Sequence, residues 1–337
     1  MNSKIGWGIL STGRIAHTFA LSVRRSKTGC LTAVGSRSFK SAKAFAQTHE
    51  IKNTHGSYEA LLADPSVEAV YIATPHPSHA EWVIRAAKAG KAVLCEKPLT
   101  MNASEAKKVV ATAGKNKTFL MEAFAYRCHP QTAQLIKLIQ SKVIGEVRLI
   151  QSSFCFNAFY NPLNRLFSKK LGGGGILDIG CYPVSIARLI AGAARGKAFA
   201  EPVVVKAVGH IGQSGVDEWA MALLRFPGDV LAEITCGIRT QGEVILRVHG
   251  TKGSITVPEP FGCGIKAGKT SILVHRNGKT EKVVVKSDRG LYTYEADAVA
   301  RALREDRPQS PSMTWADSLG NSKILDGWLK AIRFPQM

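Results

Sequence analysis

No Asp or Glu occurs in this 337-residue chain before Glu50. No apolar stretch approaches the ~20 residues that a membrane-crossing helix needs, so no span and no membrane partner are expected. Lys and Arg run no longer than pairs such as Arg24-Arg25, Lys107-Lys108 and Lys169-Lys170, which excludes the basic arms that bind nucleic acid. C-x-x-C pairs are missing too. Cys30, Cys95, Cys128, Cys155, Cys181, Cys236 and Cys263 are scattered and odd in number, a pattern that argues against a disulfide framework or zinc site and for reduced thiols in a cytoplasmic setting. The apolar run within Met1 to Leu10 leads straight into a Gly-rich turn, so no signal peptide is expected. Internal repeats and low-complexity tracts are also lacking.

What is present suits a globular protein of two domains: 45% hydrophobic residues, 21% charged, and a length that exceeds one ordinary domain. The net charge of +20 divides evenly: residues 1–123 hold 17 Lys/Arg against 8 Asp/Glu, and the remainder 28 against 17. A generally basic surface follows. Up to Ala123, short apolar runs (Lys4–Leu10, Leu31–Gly35, Val67–Ala73, Ala92–Cys95, Thr118–Met121) alternate with helical patterns of roughly 10–15 residues. That rhythm predicts an α/β domain, 1–123, with a doubly wound parallel Rossmann sheet. From 124 to 337 the runs follow one another with short links, among them a turn at Pro227-Gly228-Asp229, and predict an α+β domain with a large, mostly antiparallel open sheet. Its helices are expected at Gln131–Ser141, Asp178–Ala191, Tyr292–Arg304 and Thr314–Ile332, the last two free to pack back on the first domain.

The first strand runs into Ser11-Thr12-Gly13-Arg14-Ile15-Ala16, a G-x-G-x-x-G/A fingerprint in which Ser11 replaces the first Gly. Small residues at such a turn let backbone N–H groups approach a pyrophosphate at a helix N-terminus. NAD sites usually place an acid after the second strand, whereas this strand ends in Gly35-Ser36-Arg37-Ser38 with Lys40 nearby. A hydroxyl and a planar guanidinium suit the 2′-phosphate of NADP, so NADP is expected over NAD. Further cofactor-side groups are read at the ends of later strands: Thr74 and Pro75 in Ala73-Thr74-Pro75-His76-Pro77-Ser78-His79, and Glu96 and Lys97 in Cys95-Glu96-Lys97-Pro98. The spacing of His76 and His79 suggests a metal, but no third ligand is evident and none is expected. Downstream, Gly172-Gly173-Gly174-Gly175 precedes Asp178 and Tyr182, four apart and thus on one face of a helix.

These residues, with Glu122, Arg127-x-His129-Pro130 and His249-Gly250-Thr251-Lys252-Gly253, resemble the glucose-fructose oxidoreductase, inositol dehydrogenase and MocA family (Gfo/Idh/MocA) over essentially the whole chain. Within it the likeness is greatest to NADP-dependent D-xylose dehydrogenases and dimeric dihydrodiol dehydrogenases. The resemblance implies hydride transfer between the nicotinamide and a sugar-like or diol carbinol, with an aldose, keto-sugar or diol as the partner. It implies Lys97 as catalytic and Tyr182 as acid/base where inositol dehydrogenase-like members have His, a departure that sets cyclitols aside. Asp178 is expected to orient Lys97 or bind a substrate hydroxyl, with the alternative of capping its helix. His79 is expected to reach substrate or the Lys97 network, and Arg127 and His129 to pin the hinge. A homodimer or homotetramer through the open sheet is implied as well. A redox-assisted glycosidase or lyase, and a non-catalytic NADP-binding regulator, are the rival readings.

Overall fold

The computed structural model describes residues 4–333; the outermost ends of the two expected domains, 1–3 and 334–337, lie outside the described residues. The chain divides into two compact units, Met1–Cys128 with Arg289–Leu319, and His129–Asp288 with Gly320–Met337.

In unit 1 the order is β1 (Ile5–Leu10), α1 (Arg14–Val23), β2 (Gly29–Gly35), α2 (Phe39–His49), β3 (Asn53–His55), α3 (Tyr58–Leu62), β4 (Ala69–Ile72), α4 (His79–Lys88), β5 (Ala92–Glu96), α5 (Ala103–Lys115) and β6 (Leu120–Ala123). The six strands are parallel in the order β3-β2-β1-β4-β5-β6. The chain therefore winds outward from β1 in both directions, and the β1–β4 boundary is the place where such sheets open a crevice. Strands β1, β4 and β5 are buried at every position, as expected of a sheet covered on both faces. Helix α3 was not anticipated from the sequence: it is a single short turn, too brief for a periodic pattern, started by Ser57, whose hydroxyl accepts from the Ala60 amide.

Unit 2 opens with α6 (Pro130–Gln140) and β7 (Val147–Cys155), followed by α7 (Cys181–Ala193). Then come β8 (Val204–Ile211), β9 (Asp217–Phe226), β10 (Val230–Gly237), β11 (Val244–Gly250), β12 (Gly253–Val257), β13 (Gly268–Arg276) and β14 (Lys279–Ser287). They form one eight-stranded sheet, β14-β13-β12-β11-β7-β10-β9-β8, antiparallel throughout except for β7 beside β10. On β9 buried and exposed positions alternate from Glu218 to Phe226, so one face joins the core and the other looks outward. Pro227-Gly228-Asp229 makes the expected hairpin, with positive φ at Gly228 and Asp229.

Helix α8 (Leu291–Arg304) belongs to unit 1, where Asp297 accepts from Ser26 (2.6 Å) and from Arg289 (2.6 Å), and Thr293 donates to the Ser22 carbonyl at 3.0 Å. Helix α9 (Trp315–Arg333) begins in unit 1, with the Trp315 indole donating to the Leu120 carbonyl at 3.0 Å. The expectation that no stretch is long and apolar enough for a membrane needs correction. The helical stretch Lys169–Ala193 passes by length and composition, yet 94% of its apolar window is buried inside the fold, which makes it a core helix.

Candidate active site

The dinucleotide turn sits between β1 and α1. Ser11 takes φ +91° where the fingerprint usually has Gly, a left-handed conformation that costs a residue with a Cβ on the order of 1–3 kcal/mol. Its amide is anchored on the Gly35 carbonyl at 3.0 Å, which ties the turn to the end of β2. Gly13 caps α1 without any side-chain hydrogen bond, and no acidic residue occupies the first turn. The leading N–H groups of α1 thus face a position suited to an anion. Thr12, Gly13, Arg14 and Ile15 are all at least partly accessible there, and a Cβ on Gly13 would approach nothing nearer than the Ser11 hydroxyl at 3.9 Å. At the end of β2, Ser36 is buried and Arg37 and Lys40 are exposed.

The end of β4 leads through Thr74 and Pro75 into a 3₁₀ turn, His76–Ser78. Thr74 is buried, and its hydroxyl finds no hydrogen-bond partner among the described residues. A buried polar atom of this kind at the ligand edge of the sheet fits a bound nucleotide. Glu96, at the end of β5, is buried; Tyr71 donates to one of its oxygens and the Lys97 amide to the other at 3.2 Å. Lys97 is half-buried, and its bond to Pro98 is cis.

His79, expected to reach substrate or the Lys97 network, lies beneath the two loops. Its ring is fully buried, with Nδ1 2.8 Å from the Pro98 carbonyl and Nε2 2.9 Å from the Thr74 carbonyl. It stitches the loop after β4 to the loop after β5, and so supports the segment carrying Lys97. Arg127 pairs with Asp317 and donates to the Ser312 carbonyl (3.1 Å) inside unit 1, while His129, in unit 2, accepts from the Gln131 amide as the cap of α6.

In unit 2, Asp178 lies in a π-helical turn, Ile176–Gly180, directly before α7, so it and Tyr182 span a junction of two helix types and do not share one regular helix. Asp178 is largely buried and accepts from the Arg165 guanidinium at 2.8 Å, a bond within reach because Arg165 stands on the loop before the glycine run. The amide of Ile176, at the start of this turn, donates to Asp217, the first residue of β9, at 2.5 Å. Tyr182 is half-buried beside Phe154 and Phe261, with ring centroids 5.4 and 5.1 Å away.

Unit 1 therefore gathers Ser11–Ile15, Ser36, Arg37, Thr74, Pro75, Glu96 and Lys97 at the C-terminal ends of β1, β2, β4 and β5, and unit 2 holds Asp178 and Tyr182 together. Three groups escaped the sequence reading. Arg165 and Asp217 act through partners far along the chain. Glu295, on α8, is wholly buried, and neither carboxyl oxygen has a hydrogen-bond partner among the described residues. Burial and, next, the Glu96 charge push its carboxyl well above the ordinary range, and the same two causes raise Tyr71. Only its place on the buried stripe of α8 marks it in the sequence.

Residues 5–124 match the oxidoreductase family with an NAD-binding Rossmann fold, GFO_IDH_MocA, and residues 132–256 match the GFO/IDH/MocA C-terminal domain. The trans-1,2-dihydrobenzene-1,2-diol dehydrogenase of Xenopus tropicalis is 35% identical over 336 residues, covering 97% of each chain. The chain belongs to the Gfo/Idh/MocA family. This Gfo/Idh/MocA protein is an NAD(P)-dependent dehydrogenase or reductase of CH–OH groups. The human dihydrodiol dehydrogenase is likewise 35% identical to it over 340 residues, with 98% of each chain covered. Among solved structures, a 3-ketoreductase from Actinomadura kijaniata, in complex with NADP and TDP-benzene, superimposes with a TM-score of 0.85 at 29% identity, covering 98% of this chain and 97% of that one. The aldose-aldose oxidoreductase of Caulobacter crescentus, at 23% identity and TM-score 0.88 over 98% of each chain, shares the fold. Both the Rossmann sheet and the large open sheet expected from the sequence are those of this family.

Proposed function

We propose that this Gfo/Idh/MocA protein uses NADP to interconvert a hydroxyl and a carbonyl on a diol or sugar-like substrate, with Tyr182 as the acid/base and Lys97 assisting it. The observation that carries this reading is the likeness, at 35% identity over nearly the full length, to the dihydrodiol dehydrogenases. An aldose, keto-sugar or diol is the substrate class.

Bound NADP supplies the hydride acceptor, or in its reduced form the donor. The protein's residues hold and orient it: the α1 amides and Thr12–Ile15 for the pyrophosphate, Ser36, Arg37 and Lys40 for the 2′-phosphate, and Thr74, Pro75, Glu96 and Lys97 along the sheet edge. Alcohol oxidation requires a base that takes the hydroxyl proton as the hydride leaves carbon, and a phenol with an ordinary pKa of ~10 is a poor one at neutral pH. An ammonium group favours phenolate, so Lys97 eases proton uptake by Tyr182 in oxidation and its return in carbonyl reduction. Asp178, steadied by Arg165, orients Lys97 or accepts from a substrate hydroxyl.

The test is a spectrophotometric screen with NADP and NADPH against trans-diols, aldoses and keto-sugars, repeated with Tyr182→Phe and Lys97→Met. Each variant should lose 10²–10⁴-fold in kcat, the usual worth of general acid–base catalysis, while still binding NADPH. Wild-type turnover in both variants would falsify the mechanism.

The chain also self-associates in this reading, through the outward face of the open sheet. Val208, Trp219, Met221, Leu223 and Leu231 are between 42 and 68% exposed there, and Val208 and Met221 are direct cross-strand neighbours. Leu223→Glu should convert a dimer or tetramer to monomer in sedimentation velocity; an unchanged mass would remove this face from consideration. The odd number and scattered spacing of the seven cysteines support a reducing, cytoplasmic setting.

A further inference from the structure

The glycine run before Asp178 has an explanation in a residue that neither motif nor spacing singled out. Asp217 is 2% exposed, and its carboxylate receives the Gly175 and Ile176 amides, the latter at 2.5 Å. Gly174 stands at φ +105°, and a Cβ there would lie 2.3 Å from the Asp217 Oδ1 atom. A Cβ on Gly173 would lie 2.4 Å from the Leu166 carbonyl oxygen. The run is thus stripped of side chains so that the backbone can close around one carboxylate on one side and the preceding loop on the other.

At its far end the same turn is pinned again. A Cβ on Gly180 would come within 3.1 Å of the Cys236 sulfur and 3.2 Å of the Trp328 ring, and both of those side chains are fully buried. Between the two pins lies the π-helical turn Ile176–Gly180. A π turn inserts an extra residue into the helical register, a costly conformation found mainly where a side chain must be aimed. The side chain in its middle is Asp178, and two residues after its end comes Tyr182. An ionised carboxylate at the start of the helical run Ile176–Ala193 also has the right sign for the helix dipole.

We infer that Asp217 is a positioning residue for the reaction: by closing the glycine run around its carboxylate it fixes the π turn that sets the direction of Asp178 and the entry of the helix carrying Tyr182. This inference rests on the reading of Tyr182 as the acid/base. Asp217 reaches no reacting atom in it. Its influence passes wholly through the backbone from Gly174 to Gly180.

The experiment compares Asp217→Asn, Gly174→Ala and Tyr182→Phe in the full chain. Asparagine keeps the shape but presents an NH₂ group to one of the two amides, and alanine at 174 displaces the carboxylate while leaving its charge intact. Both variants should lose about 10- to 100-fold in kcat, as expected for a shift of around 1 Å in a reacting group. Affinity for NADPH, read by fluorescence titration, should stay at the wild-type value, and hydrogen exchange at the Gly175 and Ile176 amides should accelerate. Asp217→Asn decides the matter if Gly174→Ala fails to fold, because it retains the volume and removes a buried charge. Wild-type kcat with a lowered Tm in Asp217→Asn, together with an inactive Tyr182→Phe, overturns the inference alone and leaves Asp217 as a stability element. Retained turnover in Tyr182→Phe overturns the acid/base reading, and the inference with it.

Discussion

The two units position chemistry by opposite routes. In unit 1 the groups come from loops after β1, β2, β4 and β5, each placed because parallel strands all end at the same edge. No single loop has to be unusual, although Ser11 holds a strained φ and His79 braces two loops from beneath. In unit 2, Asp178 lies in a π turn and Tyr182 in the first turn of α7 directly after it, and the shape of that junction is imposed by Asp217 from the start of β9 and by Cys236 and Trp328 from the core. A site made by topology tolerates a changed loop. One made by a pinned turn depends on each pin.

The largest effect that would break this contrast concerns the charge on Asp217. Burial, opposed by the amides of Ile176 and Gly175, lifts its carboxyl from an ordinary 3.8 to about 6. The folded state therefore binds this proton more tightly than the unfolded chain does. The sign follows: as pH rises from about 4 to about 6 the fold loses stability through this group, and above that the penalty is constant, in total about 3 kcal/mol. Asp217→Asn carries no such proton. Denaturant unfolding of both proteins at pH 4 and pH 7 should shift the stability difference by about that amount in favour of the variant at the higher pH. A flat difference would mean that the carboxylate is not held as a buried charge, and the pinned-turn picture would lose its electrostatic side.

How far the sequence spoke for each unit follows the same division. The turn Ser11–Ala16, the strand end at Arg37 and the loops at Thr74 and Lys97 were legible because each motif is contiguous and its strand is an unbroken apolar run. The open sheet was legible from consecutive apolar runs joined by short links, among them the turn Pro227-Gly228-Asp229. What stayed hidden was long-range. Asp178 was marked by the glycine run before it and by its spacing to Tyr182, but the bond it accepts from Arg165 was not. The acceptor of the Ile176 amide, Asp217, comes from the first position of a strand 39 residues after Asp178, and nothing in its own neighbourhood marks it. His79 looked like a ligand contact because it sits in a loop at the sheet edge, but its burial between two carbonyls is decided by the backbone of Pro98. Glu295 was marked only by its place on the buried stripe of α8, a weak signal since a charged residue on an amphipathic helix is ordinarily exposed.

A smaller effect sharpens the unit 1 side. If the sheet edge positions each group independently, exchanging one of them should alter one contact and spare the rest. Arg37 is the clean case: it is exposed at the end of β2 and stands where NAD-specific relatives of the fold place an acid. Hydrogen bonds to charged groups contribute about 1.5–3 kcal/mol, so Arg37→Asp should weaken NADP binding by roughly 10- to 100-fold and leave NAD binding near the wild-type level. Stability should change little, because Arg37 is solvated and supports no part of the core. Fluorescence titration with both dinucleotides measures the ratio directly. Equal losses for the two would show that Arg37 supports the turn as a whole, and the loops of unit 1 would then be as interdependent as the turn that carries Asp178.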